Sequence, residues 1–245
     1  MKEVIRLAEV SLLRRTQEEL SYDFKTTLLS IVSGKYRKPL KKLVLDHINF
    51  AVQEGEKLGI IGANGSGKST LLKIICGILQ PTAGSVRVRG EIAPLIELGA
   101  GFDAKLSVMD NIVLYGVMLG FSRQEMKERA RLILEFAELE DYALVPVTGL
   151  SSGMVARLGF AIATDVQPDI LILDEVFAVG DESFKHKCQQ RMEKFWQANA
   201  TILVVSHDLH FIQNSCSQAI YLEKGQLRMV GKVDEVVKLY LNGIG

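Results

Sequence analysis

The stretch Gly62-Ala-Asn-Gly-Ser-Gly-Lys68-Ser69-Thr70 limits the possible folds more than any other part of the chain. It follows an apolar run, KLGII, and leads into a helical pattern at 68–79. Its spacing fits G-x-x-x-x-G-K-[ST], whose chemistry requires a strand before it and a helix after it. Gly62, Gly65 and Gly67 let the backbone curl so that its N–H groups face inward. Together with the following helix N-terminus, those groups form a nest for phosphate oxygens. Lys68 then reaches the β- and γ-phosphates, and Ser69 is placed to ligate Mg²⁺. ATP is the expected ligand, along Gly62, Ala63, Asn64, Gly65, Ser66, Gly67, Lys68, Ser69 and Thr70. A glycine-rich turn with a chance lysine is the alternative, but it would not need the flanking strand and helix.

A strand-loop-helix unit of this kind belongs in a larger sheet, and the rest of the chain supplies one. Two further apolar runs, DILILDE (169–175) and TILVVSH (201–207), suit parallel strands covered on both faces. Helical patterns at 106–140 and 183–198 lie between or after them. Residues 3–12, 44–52, 85–90 and 92–98 read as additional strands, and 219–231 as a hairpin turning at Lys224-Gly225. A short helix over 234–241 closes the chain. The expected class is α/β.

In open α/β sheets, ligands bind beyond the carboxyl ends of the strands. The second apolar run ends there in Asp174-Glu175. Two adjacent carboxylates are costly to bury unpaired, and a nearby metal removes the difficulty. Asp174 is assigned to Mg²⁺ and Glu175 to polarising an attacking water. An acid pair capping the next helix is the plainer reading of these two residues taken alone. The third run ends in Ser206-His207-Asp208, where His207 can bond a γ-phosphate oxygen. His47, His186 and His210 are read as structural.

Composition narrows the partners. Lys plus Arg and Asp plus Glu number 29 each, which argues against a broad nucleic-acid-binding face. No apolar run approaches the ~20 residues needed to span a bilayer. The start, MKEVIRLAEV, is charged and alternating, unlike a signal peptide. Cys76, Cys188 and Cys216 fit no metal or disulfide spacing and read as reduced thiols.

One stretch remains without a role. Leu150-Ser-Ser-Gly-Met154 is small and polar, then turns into an apolar helix reaching Thr164. Ser151, Ser152 and Gly153 offer hydroxyl and N–H groups at a second helix start, again suited to an anion. An ordinary helix cap is the plain alternative. A second anion site makes sense if it serves ATP held by another copy of the chain.

At this point the residues resemble a known family. LSSGM resembles the signature motif of ATP-binding-cassette (ABC) ATPases, usually LSGGQ. GANGSGKST resembles their Walker A motif, ILILDE their Walker B, AVGD (178–181) their D-loop and SHD their H-loop. The resemblance implies a P-loop NTPase cassette: a mixed core sheet, an antiparallel β subdomain and a helical signature subdomain. A RecA-like core with its β subdomain would take about 1–98 and 165–245, and the helical part about 99–164. It also implies a head-to-tail dimer with two ATPs sandwiched. Leu150, Ser151, Ser152, Gly153, Met154 and Asp181 would then act in trans, with Glu175 as general base.

Two departures accompany the likeness. The Q-loop position falls at Glu97-Leu98, so Glu97 replaces glutamine as a candidate Mg²⁺ ligand. The adenine-stacking aromatic is not fixed, and Tyr22, Phe24 and Tyr36 are the choices. "LIELGAGF", "SSGM" and "DEVFAVGDESFKHKC" resemble the ATPase subunits of exporters for O-antigen, capsule and teichoic-acid polysaccharides. That resemblance implies a transmembrane permease partner, a lipid-linked glycan as cargo, and a peripheral location on the cytoplasmic face of the inner membrane. The chain ends soon after the cassette, so no C-terminal carbohydrate-binding domain is expected.

Within 14–43, Phe24, Leu28, Ile31 and Val32 fall near helical spacing ahead of a basic stretch, Lys35 to Lys42. This reads as a short packed helix with a solvated loop, or as a contact with anionic headgroups or the permease. A soluble ABC ATPase acting on nucleic acid or ribosomes is the competing function, but the long coiled-coil insert or second cassette usual there is missing. A P-loop kinase would leave LSSGM and His207 idle.

Overall fold

The computed structural model describes residues 2–15, 41–96, 98–165, 168–174 and 181–243. A six-stranded sheet forms the centre. It contains β3 (Lys57–Ile61), β5 (Ile92–Leu95), β6 (Ile170–Asp174), β7 (Thr201–Val205), β8 (Gln218–Glu223) and β9 (Gln226–Lys232) in the order β5-β6-β7-β3-β8-β9. All neighbouring pairs are parallel except β8 with β9, so the sheet is mixed. The apolar runs explain this placement. Successive side chains of a strand point to opposite faces. Ile170 and Ile172 of β6 join one core cluster, and Leu171 and Leu173 join the other. In β7, Leu203 and Val205 face the first cluster, and Ile202 and Val204 the second. A strand apolar on both faces is stable only under cover on both sides. Fully burying each such side chain contributes about 1.5–3 kcal/mol.

One cover is a three-stranded antiparallel sheet of β1 (Glu3–Arg15), β2 (Lys41–Gln53) and β4 (Ala83–Val88), in the order β2-β1-β4. Between the sheets lies α1 (Lys68–Ile75), with Leu71, Leu72, Ile74 and Ile75 buried. On the other face lie α2 (Val108–Met118), α3 (Arg123–Ala137), α4 (Ser152–Asp165), α5 (Glu182–Gln197), α6 (Leu209–Ser215) and α7 (Val233–Asn242). Of these, α2, α3 and α4 pack on one another.

Three differences from the sequence reading have local causes. The helical pattern over 106–140 is two helices. Gly120 at φ +99 breaks it, and Ser122 restarts it with a capping box to Glu125. The unexpected α6 follows His207, with Asp208 accepting from Phe211 N at 3.0 Å as its N-cap. The strands β1 and β2 extend past their apolar alternation because backbone pairing continues to Arg15 opposite Lys41. The hairpin turn stands where expected, with Lys224 at φ +48 and Gly225 at φ +80.

Candidate functional site

The carboxyl ends of β3, β6 and β7 open on one cleft of about 500 Å³. It is lined by Val44, Asn64, Gly65, Gly67, Lys68, Ser69, Thr70, Asp174 and His207. Neighbouring parallel strands bring these residues together although they lie far apart in sequence. The first turn of α1 carries no acidic residue and no side-chain cap, because Gly67 is its N-cap at φ +109. Its leading N–H groups therefore have no intrahelical partner and face the cleft. Lys68 is buried and donates to the carbonyl oxygens of Gly62 (2.8 Å) and Ala63 (3.1 Å), which staples the loop over its own ammonium group. Ser66 Oγ is buried with no hydrogen-bond partner among the described residues. Ser69 and Asp174 supply hard oxygen donors to the same cleft, a set that fits Mg²⁺ completed by phosphate and water oxygens.

The loop is supported from behind. Gly225 N donates to Ser66 O at 2.9 Å, and Gly225 O accepts from Asp46 N at 2.8 Å. Any side chain at Gly225 would place its Cβ 2.3 Å from the Val44 carbonyl oxygen. The hairpin tip thus reaches the phosphate loop only because position 225 is glycine. Gly62 is pinned in the same way, since a Cβ there would lie 2.1 Å from Leu222 O.

A second cleft of about 490 Å³ is lined by Glu138, Leu139, Ser151, Gly153, Met154, Arg157 and Asp181. The start of α4 contributes no acid to its first turn, and Ser151 Oγ accepts from Met154 N at 3.2 Å. Asp181 caps α5, accepting from Phe184 N at 3.0 Å. Arg157 donates to Asp181 Oδ2 at 2.5 Å and to Glu138 Oε2 at 2.9 Å. Lys187 donates to Glu138 Oε1 at 2.5 Å. The backbone bond from Phe184, and next the Arg157 charge, hold the Asp181 carboxyl below its ordinary range. The Lys187 hydrogen bond does the same for Glu138, with Arg157 adding to it.

The predicted residues fall into two groups. Asn64, Gly65, Gly67, Lys68, Ser69, Thr70, Asp174 and His207 line the first cleft, with Gly62, Ala63 and Ser66 forming the loop's frame. Ser151, Gly153, Met154 and Asp181 line the second. Ser152 is exposed at the first position of α4, while Leu150 packs against the core rather than into the cleft. The two clefts share no lining residue. Glu175, Glu97, Tyr22, Phe24, Leu28, Ile31, Val32, Tyr36 and the basic stretch from Lys35 to residue 40 lie outside the described residues, while Lys41 and Lys42 at its end are exposed at the start of β2.

Val44, Glu138 and Arg157 belong to the clefts but were missed in the sequence. Arg157 left a signal, being one helical turn beyond Gly153 and the only basic residue of α4. Val44 left none, because its cleft-facing position depends on which strand lies beside the loop. Burial pushes the thiols of Cys76, Cys188 and Cys216 up to about 12, so they are inert at neutral pH.

A further cleft of about 540 Å³ is lined by Lys2, Arg89, Asp169, Arg191 and Thr201, at the amino ends of the strands. It is slightly larger than the other two, but it lies away from the phosphate loop and holds none of the predicted residues. The carboxyl-end cleft is therefore the candidate site.

Comparison with known proteins agrees with this geometry. A family profile described as ABC transporter matches residues 45–178. The O-antigen export system ATP-binding protein RfbB of Klebsiella pneumoniae is 41% identical over 203 residues, covering 83% of this chain and 82% of that protein. The protein of the same name from Myxococcus xanthus is 42% identical over 246 residues, covering all of this chain and 55% of that protein. The teichoic acids export ATP-binding protein TagH of Bacillus cereus is 42% identical over 196 residues, covering 80% of this chain and 36% of that protein. Among solved structures, the ATP-binding cassette MJ0796 in a dimeric post-hydrolysis state with ADP and Pi superposes with a TM-score of 0.69. It is 25% identical, and the match covers 94% of this chain and 98% of that one. An ATP binding subunit of an ABC transporter, 22% identical with a TM-score of 0.71, shares the fold over 97% of this chain and 93% of its own. Phosphate loop, strand-end carboxylate and serine turn in this arrangement, together with these matches, show that the chain belongs to the ABC transporter family, as one of its ATP-binding cassettes.

Proposed function

We propose that the chain is the ATP-hydrolysing motor subunit of an exporter of lipid-linked polysaccharide, working as a head-to-tail pair of copies. One observation carries the pairing: the phosphate-loop cleft and the serine-turn cleft have no residue in common. A chain with two separate half-sites completes neither alone, whereas two antiparallel copies place each loop against the other's turn. The dimeric MJ0796 cassette is a precedent for pairing in this fold.

Residues Gly62 to Thr70 hold the phosphates, with Lys68 countering their charge. Ser69 and Asp174 would hold Mg²⁺, which when bound draws charge from the phosphate oxygens; Glu97 is a further candidate ligand. Glu175 takes a proton from the attacking water as it adds to the γ-phosphorus and the ADP oxygen leaves. His207 bonds a γ-phosphate oxygen. The partner copy contributes its Leu150 to Met154 turn and its Asp181.

Export of polysaccharide is supported by the O-antigen and teichoic acid exporters among the relatives. No helix among the described residues is long and apolar enough to cross a membrane. A transmembrane permease is the proposed partner, with the cassette at the cytoplasmic face of the inner membrane. Purification in mild detergent should retain such a permease, and mass spectrometry of the complex should find a lipid-linked glycan. A purified complex carrying protein or nucleic acid cargo instead would overturn the export reading.

The shared-site reading has its own test. Chains with Ser152→Arg and chains with Lys68→Ala should each fail to pair on ATP. Mixed together, they form heterodimers in which one composite site is whole, since one chain supplies an intact loop and the other an intact turn. ATP-dependent pairing should partly return. If each chain used its own turn, no mixture would contain a whole site. A mixture that pairs no better than either mutant alone, with heterodimers demonstrated independently, would defeat the reading.

A further inference from the structure

The second cleft presents a problem of charge. A nucleotide arriving on a partner copy brings a strongly anionic triphosphate, yet this cleft contains two carboxylates, Glu138 and Asp181. Left unpaired, they would repel the phosphates at close range, where solvent screening is weakened. Both are held by one side chain. Arg157 extends one guanidinium nitrogen to each, Nη1 to Glu138 and Nη2 to Asp181. Its side chain is only 16% exposed, against 41% for Glu138 and 63% for Asp181, and its guanidinium lies 4.9 Å from the centre of the Phe184 ring. Lys187 completes the neutralisation on the far oxygen of Glu138. The fork also joins three elements: Glu138 ends α3, Arg157 lies in α4 and Asp181 begins α5. A planar, permanently charged fork suits this task, where a lysine could serve only one carboxylate well.

We propose that Arg157 is the positioning residue of the second cleft, neutralising Glu138 and Asp181 so that it can accept the triphosphate held by a second copy of the chain. The proposal rests on the shared-site reading above. Arg157 does not touch the nucleotide. It acts through the two carboxylates, by cancelling their charge and by fixing Asp181 beside the serine turn.

The test measures ATP-driven pairing, with Mg-ATP as the probe. Arg157→Gln should bind nucleotide at its own phosphate loop within about twofold of the natural chain, because that cleft contains none of these residues. Its ATP-dependent dimer should weaken by about tenfold, the cost of exposing close like charges. Adding Glu138→Gln to that variant should recover part of the loss, since one of the two repelling charges is gone. A purely mechanical tether would not be restored by removing a second contact. Arg157→Lys should pair better than Arg157→Gln. If Arg157→Gln fails to bind nucleotide, and so to fold, Glu138→Gln alone decides: its dimer should be as tight as the natural one or tighter. Arg157→Gln pairing normally, a double variant no better than the single one, or Glu138→Gln alone weakening the dimer would each overturn the proposal. The mixing of Ser152→Arg with Lys68→Ala separates the two levels. If that mixture rescues pairing and Arg157→Gln is silent, only the role of Arg157 falls.

Discussion

Glu175→Gln is expected to lower ATP turnover by about two to four orders of magnitude, the usual contribution of a positioned general base. Nucleotide binding should stay close to that of the natural chain. Glu175 directly follows Asp174, the last residue of β6 and part of the wall of the phosphate-loop cleft. Glutamine keeps the size and one oxygen of glutamate but cannot take a proton from water at neutral pH. The phosphate loop, Lys68 and the first turn of α1 are untouched, so ATP should still drive two chains together. With hydrolysis blocked, the pair has no route apart through ADP, and a dimer should accumulate on a sizing column in Mg-ATP but not in Mg-ADP. Hydrolysis at the natural rate would remove Glu175 from the role of base.

Lys68→Ala should act one step earlier, on binding itself. The ammonium group is buried and held by the Gly62 and Ala63 carbonyl oxygens at 2.8 and 3.1 Å, inside the curl proposed to receive the phosphates. Alanine removes the positive charge from the cleft and the two bonds that close the loop. A charge-assisted hydrogen bond is worth about 1.5–3 kcal/mol, so affinity for ATP should fall by about 10- to 100-fold in a calorimetric titration. The chain should still melt cooperatively, because the buried faces of α1 (Leu71, Leu72, Ile74 and Ile75) are unchanged. Unchanged affinity would count against the phosphate-loop assignment. The two variants thus separate by phenotype: one binds and stalls, and the other scarcely binds.

The sequence by itself determined the parts whose physics is local. A curl with inward N–H groups is set by glycine spacing and the helix after it, so Gly62 to Thr70 could be read without a third dimension. The runs at 57–62, 169–175 and 201–207 were legible because apolar residues at every position need cover on both faces. Their ends marked Asp174 and His207, and parallel pairing of β3, β6 and β7 brought both to the loop. The turn at Lys224-Gly225 was equally local, but its purpose was not, because the approach of Gly225 to Ser66 and Val44 links segments far apart in the chain. Short α6 escaped notice because seven residues give too little periodicity to read. Only the tertiary structure decided how the motifs divide. It placed the serine turn and the phosphate loop in separate clefts and gathered Glu138, Arg157 and Asp181 around one guanidinium. Their separation along the chain hides them, since pairing of charges depends on distance through space, and that distance exists only once α3, α4 and α5 have packed.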